Sequence, residues 1–260
     1  MAEHGKGGQG AARRSRPITG RVLGAVYLWF WLGGLWIYLV WGAPPGWAAW
    51  AAPVFLLLAA AAVLAGAGGE EARRLVLAGL IGFAAEMVGT HTGFPFGGYH
   101  YTTTLAPLAG GVPLVLICAW IVVFAHARQV ARIVRHPGAR LLFTVAWLVG
   151  LDLVIDPLAA GPLGYWRWTG TGTGIWHGIP WTNFAGWAAV GLVLAATAPS
   201  RAPARPWTRL AGLSVALFFT ILAAANRLAA ATAAGTILVA VDLLLWQRTG
   251  WSGAPRQAGA

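Results

Sequence analysis

One lysine, one cysteine and seven acidic residues in 260 leave this chain short of most side chains that soluble enzymes rely on. The lone cysteine, Cys118, excludes internal disulfides and cysteine-based metal or iron–sulfur sites. The lone lysine, Lys6, lies in a Gly- and Arg-rich tail, which excludes a Schiff base inside a helical bundle. Six histidines are present, but no HxxxH or HxxHH spacing of the kind membrane di-iron enzymes need, so neither a metal nor another cofactor is expected. Charged residues make up 10% of the chain against 58% hydrophobic, with mean hydropathy +0.67, far outside the soluble range.

What is abundant is apolar sequence in runs long enough to cross about 30 Å of hydrocarbon. Eight such runs are expected, at 22–41, 47–66, 75–92, 112–127, 141–158, 179–197, 210–226 and 229–247. The fold class is therefore all-α, a polytopic transmembrane bundle of seven to eight spans. It is expected to form one domain over 21–248, with a disordered basic tail at 1–20 and a disordered C-terminal tail at 249–260. Arg13 and Arg14 resemble part of a twin-arginine signal, but the apolar run after them is of spanning length and lacks a small-residue cleavage site, so it reads as a retained first helix.

The net charge of +11 could point to nucleic acid, but its distribution argues for topology. With the N-terminus cytoplasmic, sixteen Lys and Arg residues fall on that side and only Arg167 and Arg227 on the other. That is the positive-inside pattern, with both termini cytoplasmic in a multi-pass protein of the cell membrane. The partner it implies is the lipid bilayer.

Four of the seven carboxylates, Glu86, Asp152, Asp156 and Asp242, lie inside apolar runs. Each costs about 2.5–3.5 kcal/mol at the centre of a spanning helix, so such residues face a bundle interior and mark sites or buried pairs. Asp152 and Asp156 are four apart and share a helical face, close enough for one proton to be held between them. Alternatively they only accept hydrogen bonds from loop backbone or pair with Arg167. Asn183 enters the membrane on the same side, where an amide can orient a carboxylate or a water. Asp242 lies toward the other side and reads as structural, with Arg227 or Arg248 as expected partners.

Glu86 and the aspartate pair lead into two outer loops, 90–111 and 161–178, that are nearly uncharged and rich in Tyr, Trp and Phe, among them Tyr99, Tyr101, Trp166 and Trp168. Two readings stand for these aromatics: an interfacial belt, or the lining of a site for a long apolar ligand or a developing cation, which an aromatic face attracts by roughly 0.5–2 kcal/mol. Proline and glycine in GFPFGG set a compact turn that can fold back over the helix ends.

These segments also carry a resemblance. The runs Glu86–Tyr101 (EMVGTHTGFPFGGYHY), Gly111–Leu114 (GVPL) with Trp120, Asp152–Pro157 (DLVIDP), Trp166–Trp168 (WRW) and Gly178–Trp187 (GIPWTNFAGW) resemble, in order and spacing, the membrane-bound carotenoid biosynthesis family. The match covers about 75–190 and departs at the low-complexity TGTGTG linker. Characterised members of that family hydrate the terminal double bond of acyclic carotenoids. The resemblance implies a cofactor-independent hydro-lyase acting on a lipophilic carotenoid, with Asp152 and Asp156 supplying a proton and Glu86 accepting one from water, or the reverse. Tyr99, Tyr101, Trp166 and Trp168 would shield a carbocation, and Asn183 and His91 would place the water. Rival readings are a carotenoid cyclase or isomerase, which ends in proton loss, and a proton-coupled transporter.

Overall fold

The computed structural model describes residues 18–170 and 176–249. The tails expected over 1–20 and 249–260 fall almost wholly outside these residues, as does most of the TGTGTG linker. Residues 18–20 already belong to the first helix and Thr249 closes the last.

Eight long helices run through the described residues: α1 (Ile18–Trp41), α2 (Ala51–Gly66), α3 (Gly69–Thr92), α4 (Leu116–Val130), α5 (Pro137–Ala160), α6 (Trp181–Thr197), α7 (Pro206–Ala225) and α8 (Ala229–Thr249). Among the described residues, seven spans are long and apolar enough to cross a membrane, as expected of a multi-pass membrane protein. The exception is α6, with 17 residues, which packs along α5. The centre of the bundle is α4, buried from Trp120 to Val130 and in contact with α2, α3, α5 and α7.

Several helices start a few residues from the expected spans, and at two of them the contacts give the reason. The third helix begins at Gly69, six residues before the apolar run, because its charged first turns are paired: Arg74 with Glu70 one turn away, and Glu71 with Arg128 of α4 at 3.1 Å through both guanidinium arms. The fourth starts at Leu116 and not at 112, because Val112–Pro113 (β3) pairs with Leu108–Ala109 (β2) in a short hairpin. Helix α5 opens with Pro137 in its first turn, where a missing N–H costs nothing. Helix α3 ends at Gly93, whose φ of +76° suits a residue without Cβ.

Two more strands matter for the site. Tyr99–Tyr101 (β1) and Trp166–Trp168 (β4) form an antiparallel ribbon that joins the loop after α3 to the loop after α5. Opposed residues are Tyr99 with Trp168, His100 with Arg167, and Tyr101 with Trp166. Because strand side chains alternate, the four aromatics share one face, while His100 and Arg167 point out on the other. The expected alternative of Arg167 pairing with the aspartates is therefore not what is found.

The opposite end of the bundle is held by arginines that cap backbone carbonyls between helices. Arg128 donates to Ala198 O at 2.5 Å and Arg140 to Pro199 O at 3.0 Å. Toward this end Asp242 is fully buried, but its partners are not Arg227 or Arg248. Arg209 of α7 reaches its Oδ1 at 2.5–2.6 Å and His126 of α4 its Oδ2 at 2.8 Å. The expected partners are near in sequence. The true ones lie on neighbouring helices, where the inward face of α8 points.

Candidate active site

One face of α3 sets the site. Gly79, Gly82, Glu86 and Gly89 recur at intervals of three and four and are all buried. Without Cβ atoms the glycines admit other groups against the helix: a Cβ on Gly82 would stand 2.2 Å from Trp120 Cγ, and one on Gly89 would stand 2.8 Å from both Phe96 and the Tyr99 hydroxyl. Glu86 thus projects from a glycine-lined face into a layer of aromatic rings.

Three donors converge on its carboxylate. Tyr99 and Tyr101 both donate to Oε2, at 2.5 and 2.8 Å, and the Trp120 indole donates to Oε1 at 3.2 Å. Burial first, then the charge of Glu86, pushes both phenols well above their ordinary value, so they stay donors at any physiological pH. Three donors with no competing acceptor are what an ionised carboxylate requires in a buried place.

The aspartate pair is built differently. Asp152 and Asp156, each 1% exposed, stand one turn apart on α5. A single nitrogen, Asn183 Nδ2, donates to Asp152 Oδ2 and to Asp156 Oδ2, at 2.7 Å each. Asp156 also accepts from Trp166 Nε1 at 2.8 Å. Glu86 lies near enough for its charge to act on both aspartates. Three carboxyl groups in one buried cluster cannot all carry charge cheaply, and the aspartate pair has fewer donors per oxygen than Glu86.

The loops close this site from the outer end. Phe96, 2% exposed, wedges between Gly89 of α3 and Gly186 of α6, and Thr182 holds the Phe96 carbonyl at 3.2 Å. Pro157, just after Asp156, has no N–H for the carbonyl of Leu153, and Trp176 Nε1 fills that place at 3.0 Å. The proline thus leaves an acceptor that ties the 161–180 loop to α5 beside the acids. The indole N–H of Trp168 is buried beside Asp156.

Of the residues expected from sequence, Glu86, Asp152, Asp156, Asn183, Tyr99, Tyr101, Trp166 and Trp168 come together here. His91 does not: it is exposed on α3, with Nδ1 against Met87 O at 2.8 Å. Trp120 is the residue that sequence reasoning missed as a ligand of Glu86. Its signal was the glycine stripe, which marks close approach of another helix at the level of the acid. Among the described residues, no group of three or more His, Cys, Asp or Glu side chains is arranged to hold a metal ion.

Residues 49–246 match the model of a family described as carotenoid biosynthesis protein. Bisanhydrobacterioruberin hydratase of Haloarcula japonica is 33% identical over 129 residues, which make up 46% of this chain and 41% of that protein. The aligned part is therefore less than half of either chain. No solved structure matches.

Proposed function

The chain belongs to the carotenoid biosynthesis protein family, and from that premise we propose that it is a hydratase of the cell membrane, adding water to the terminal double bond of an acyclic carotenoid. The observation that carries the reading is the contrast between two carboxylates bridged by one amide nitrogen and a third held by three donors. Such a site has a proton to give and a place for the charge that remains.

Hydration of a trisubstituted alkene begins with a proton on the less substituted carbon, which leaves a tertiary carbocation beside it. The Asp152/Asp156 pair gives this proton. The Glu86 carboxylate and the faces of Tyr99, Tyr101, Trp166 and Trp168 stabilise the cation. Water then adds its oxygen to the cation, and its surplus proton goes to Glu86. Passing that proton on to the aspartate pair resets the site, so the net change is alkene plus water to tertiary alcohol, with no electron transferred. Asn183, with both N–H groups committed to the aspartates, keeps its carbonyl oxygen to hold water.

Expression in a bacterium that accumulates lycopene tests the reading, with pigments weighed by mass spectrometry. A product heavier by one or two waters, lost in Asp156→Asn, is expected. Unchanged mass with altered absorption would replace hydration by cyclisation or isomerisation, and no change with any acyclic carotenoid would favour transport.

A further inference from the structure

A second feature of the bundle lies beside the acids and has no part in the chemistry above. Between α1, α2 and α7 runs a cavity of about 210 Å³. Its walls are apolar and largely aromatic, and it extends from Trp29, midway along α1, to Tyr38 and Tyr165 at the end of the bundle where the acids sit. Where α1 passes it, Gly33 and Gly34 supply no side chains. A Cβ on Gly33 would meet nothing within 4 Å, and one on Gly34 would only touch the Phe218 ring at 3.7 Å.

The cavity adjoins the site through shared neighbours. Tyr165 lines it, and the next residue, Trp166, is the donor to Asp156. Leu56 and Ala52, on its α2 wall, pack in the same apolar cluster as Tyr101, a donor to Glu86. The main polar mark is a pair of hydroxyls at the end nearest the acids, Tyr38 to Tyr165 at 3.2 Å. Helix α1 precedes the residues matched by the family model, so this wall rests on the chain's own sequence.

We propose that this groove seats the part of the substrate's conjugated chain next to its reacting end, so that this part of the polyene lies between α1, α2 and α7 with the end itself beyond Tyr165 at the carboxylates. The identity of that end rests on the hydration reading; the seat itself does not. A linear polyene is rigid and flat, and aromatic walls bury it by area and by stacking without asking any flexible group to order. The glycines give the width that a chain carrying methyl branches needs. An acyl chain of a lipid has the same apolarity but no reason to lead to the acids.

Gly33→Trp fills the groove from a position with free space, Ala52→Phe fills it from the opposite wall, and Gly33→Ala is the control. Each full-length protein is purified from a lycopene-accumulating host, and bound pigment per chain is read by absorbance. Both filling variants should carry about tenfold less pigment than wild type, while Glu86→Gln should keep it. They should also lose conversion of the long polyene yet keep conversion of a short acyclic terpenoid with the same end group, which reaches the acids without the groove. If wild type binds pigment but converts neither substrate, and the filling variants lose the pigment, the seat stands and hydration falls. If pigment and long-chain conversion persist in both filling variants, the groove holds acyl lipid or a helix of a second copy, and the proposal is wrong. Loss of the short substrate together with the long one also overturns it.

Discussion

Asn183 Nδ2 lies 2.7 Å from Asp156 Oδ2 and the same distance from Asp152 Oδ2, so one amide holds two carboxyl groups in register. The arrangement joins α6 to α5 at the depth of the acids and fixes which oxygens face each other. Asn183→Leu should therefore cut product formation roughly 10–100-fold, the loss of a buried hydrogen-bond donor worth about 1–3 kcal/mol. Asn183→Asp, which brings a fourth carboxyl into the cluster and removes the donor, should be worse. Product yield per folded protein checks both.

Gly82 touches no carboxylate, yet its replacement should disable one. A Cβ there would overlap the Trp120 ring, 2.2 Å from Cγ, and that indole donates to Glu86. Gly82→Ala should lower stability by about 1–3 kcal/mol through overpacking and reduce turnover beyond what the loss of folded protein explains. Melting in detergent and activity per folded chain separate the two effects.

The pair of Asp242 with Arg209 and His126 makes the opposite prediction. Removing one partner leaves a buried guanidinium without its counter-charge, so Asp242→Asn should cost about 3–5 kcal/mol. The chemistry of the product should not change, because this pair sits among helices away from the site. A lower melting temperature with the same pigment product is the expected result.

Alkaline pH should weaken the fold through the tyrosines of the ribbon. Burial and Glu86 hold the Tyr99 and Tyr101 protons well above the ordinary value of 10.0. Below that pH both states are protonated and stability is full. As pH rises past it, the unfolded chain releases protons that the folded chain keeps, so stability falls, by up to about 1.4 kcal/mol per group per pH unit. A Tyr99→Phe, Tyr101→Phe protein should lose part of this dependence in melts taken across the alkaline range.

Much of the site was legible because membrane insertion penalises carboxylates: Glu86, Asp152 and Asp156 stand out against apolar sequence, and alternation of spans brings their loops to one end. Tyr99, Tyr101, Trp166 and Trp168 followed from those loops, though not the ribbon that aligns them. YHY and WRW are too short to signal strands until each finds the other. Less legible were contacts set by helix packing. Asp242 meets His126 across 116 positions and Arg209 across 33, pairings that depend on which faces of α4, α7 and α8 turn inward. Helix ends were misjudged where charge is neutralised by a neighbour, as at Glu71 and Arg128, because hydropathy counts a paired arginine as if it stood alone.

The central claim is that one buried cluster both protonates the alkene and captures water. The most direct measurement runs the purified protein with an acyclic carotenoid in deuterium oxide enriched in heavy oxygen and locates both labels in the product. One non-exchangeable deuterium on the carbon next to a tertiary alcohol, and heavy oxygen in that alcohol, is the expected result, with both labels lost in Glu86→Gln. Deuterium in a product without heavy oxygen would contradict the account and leave a protonating enzyme that ends its reaction by proton loss.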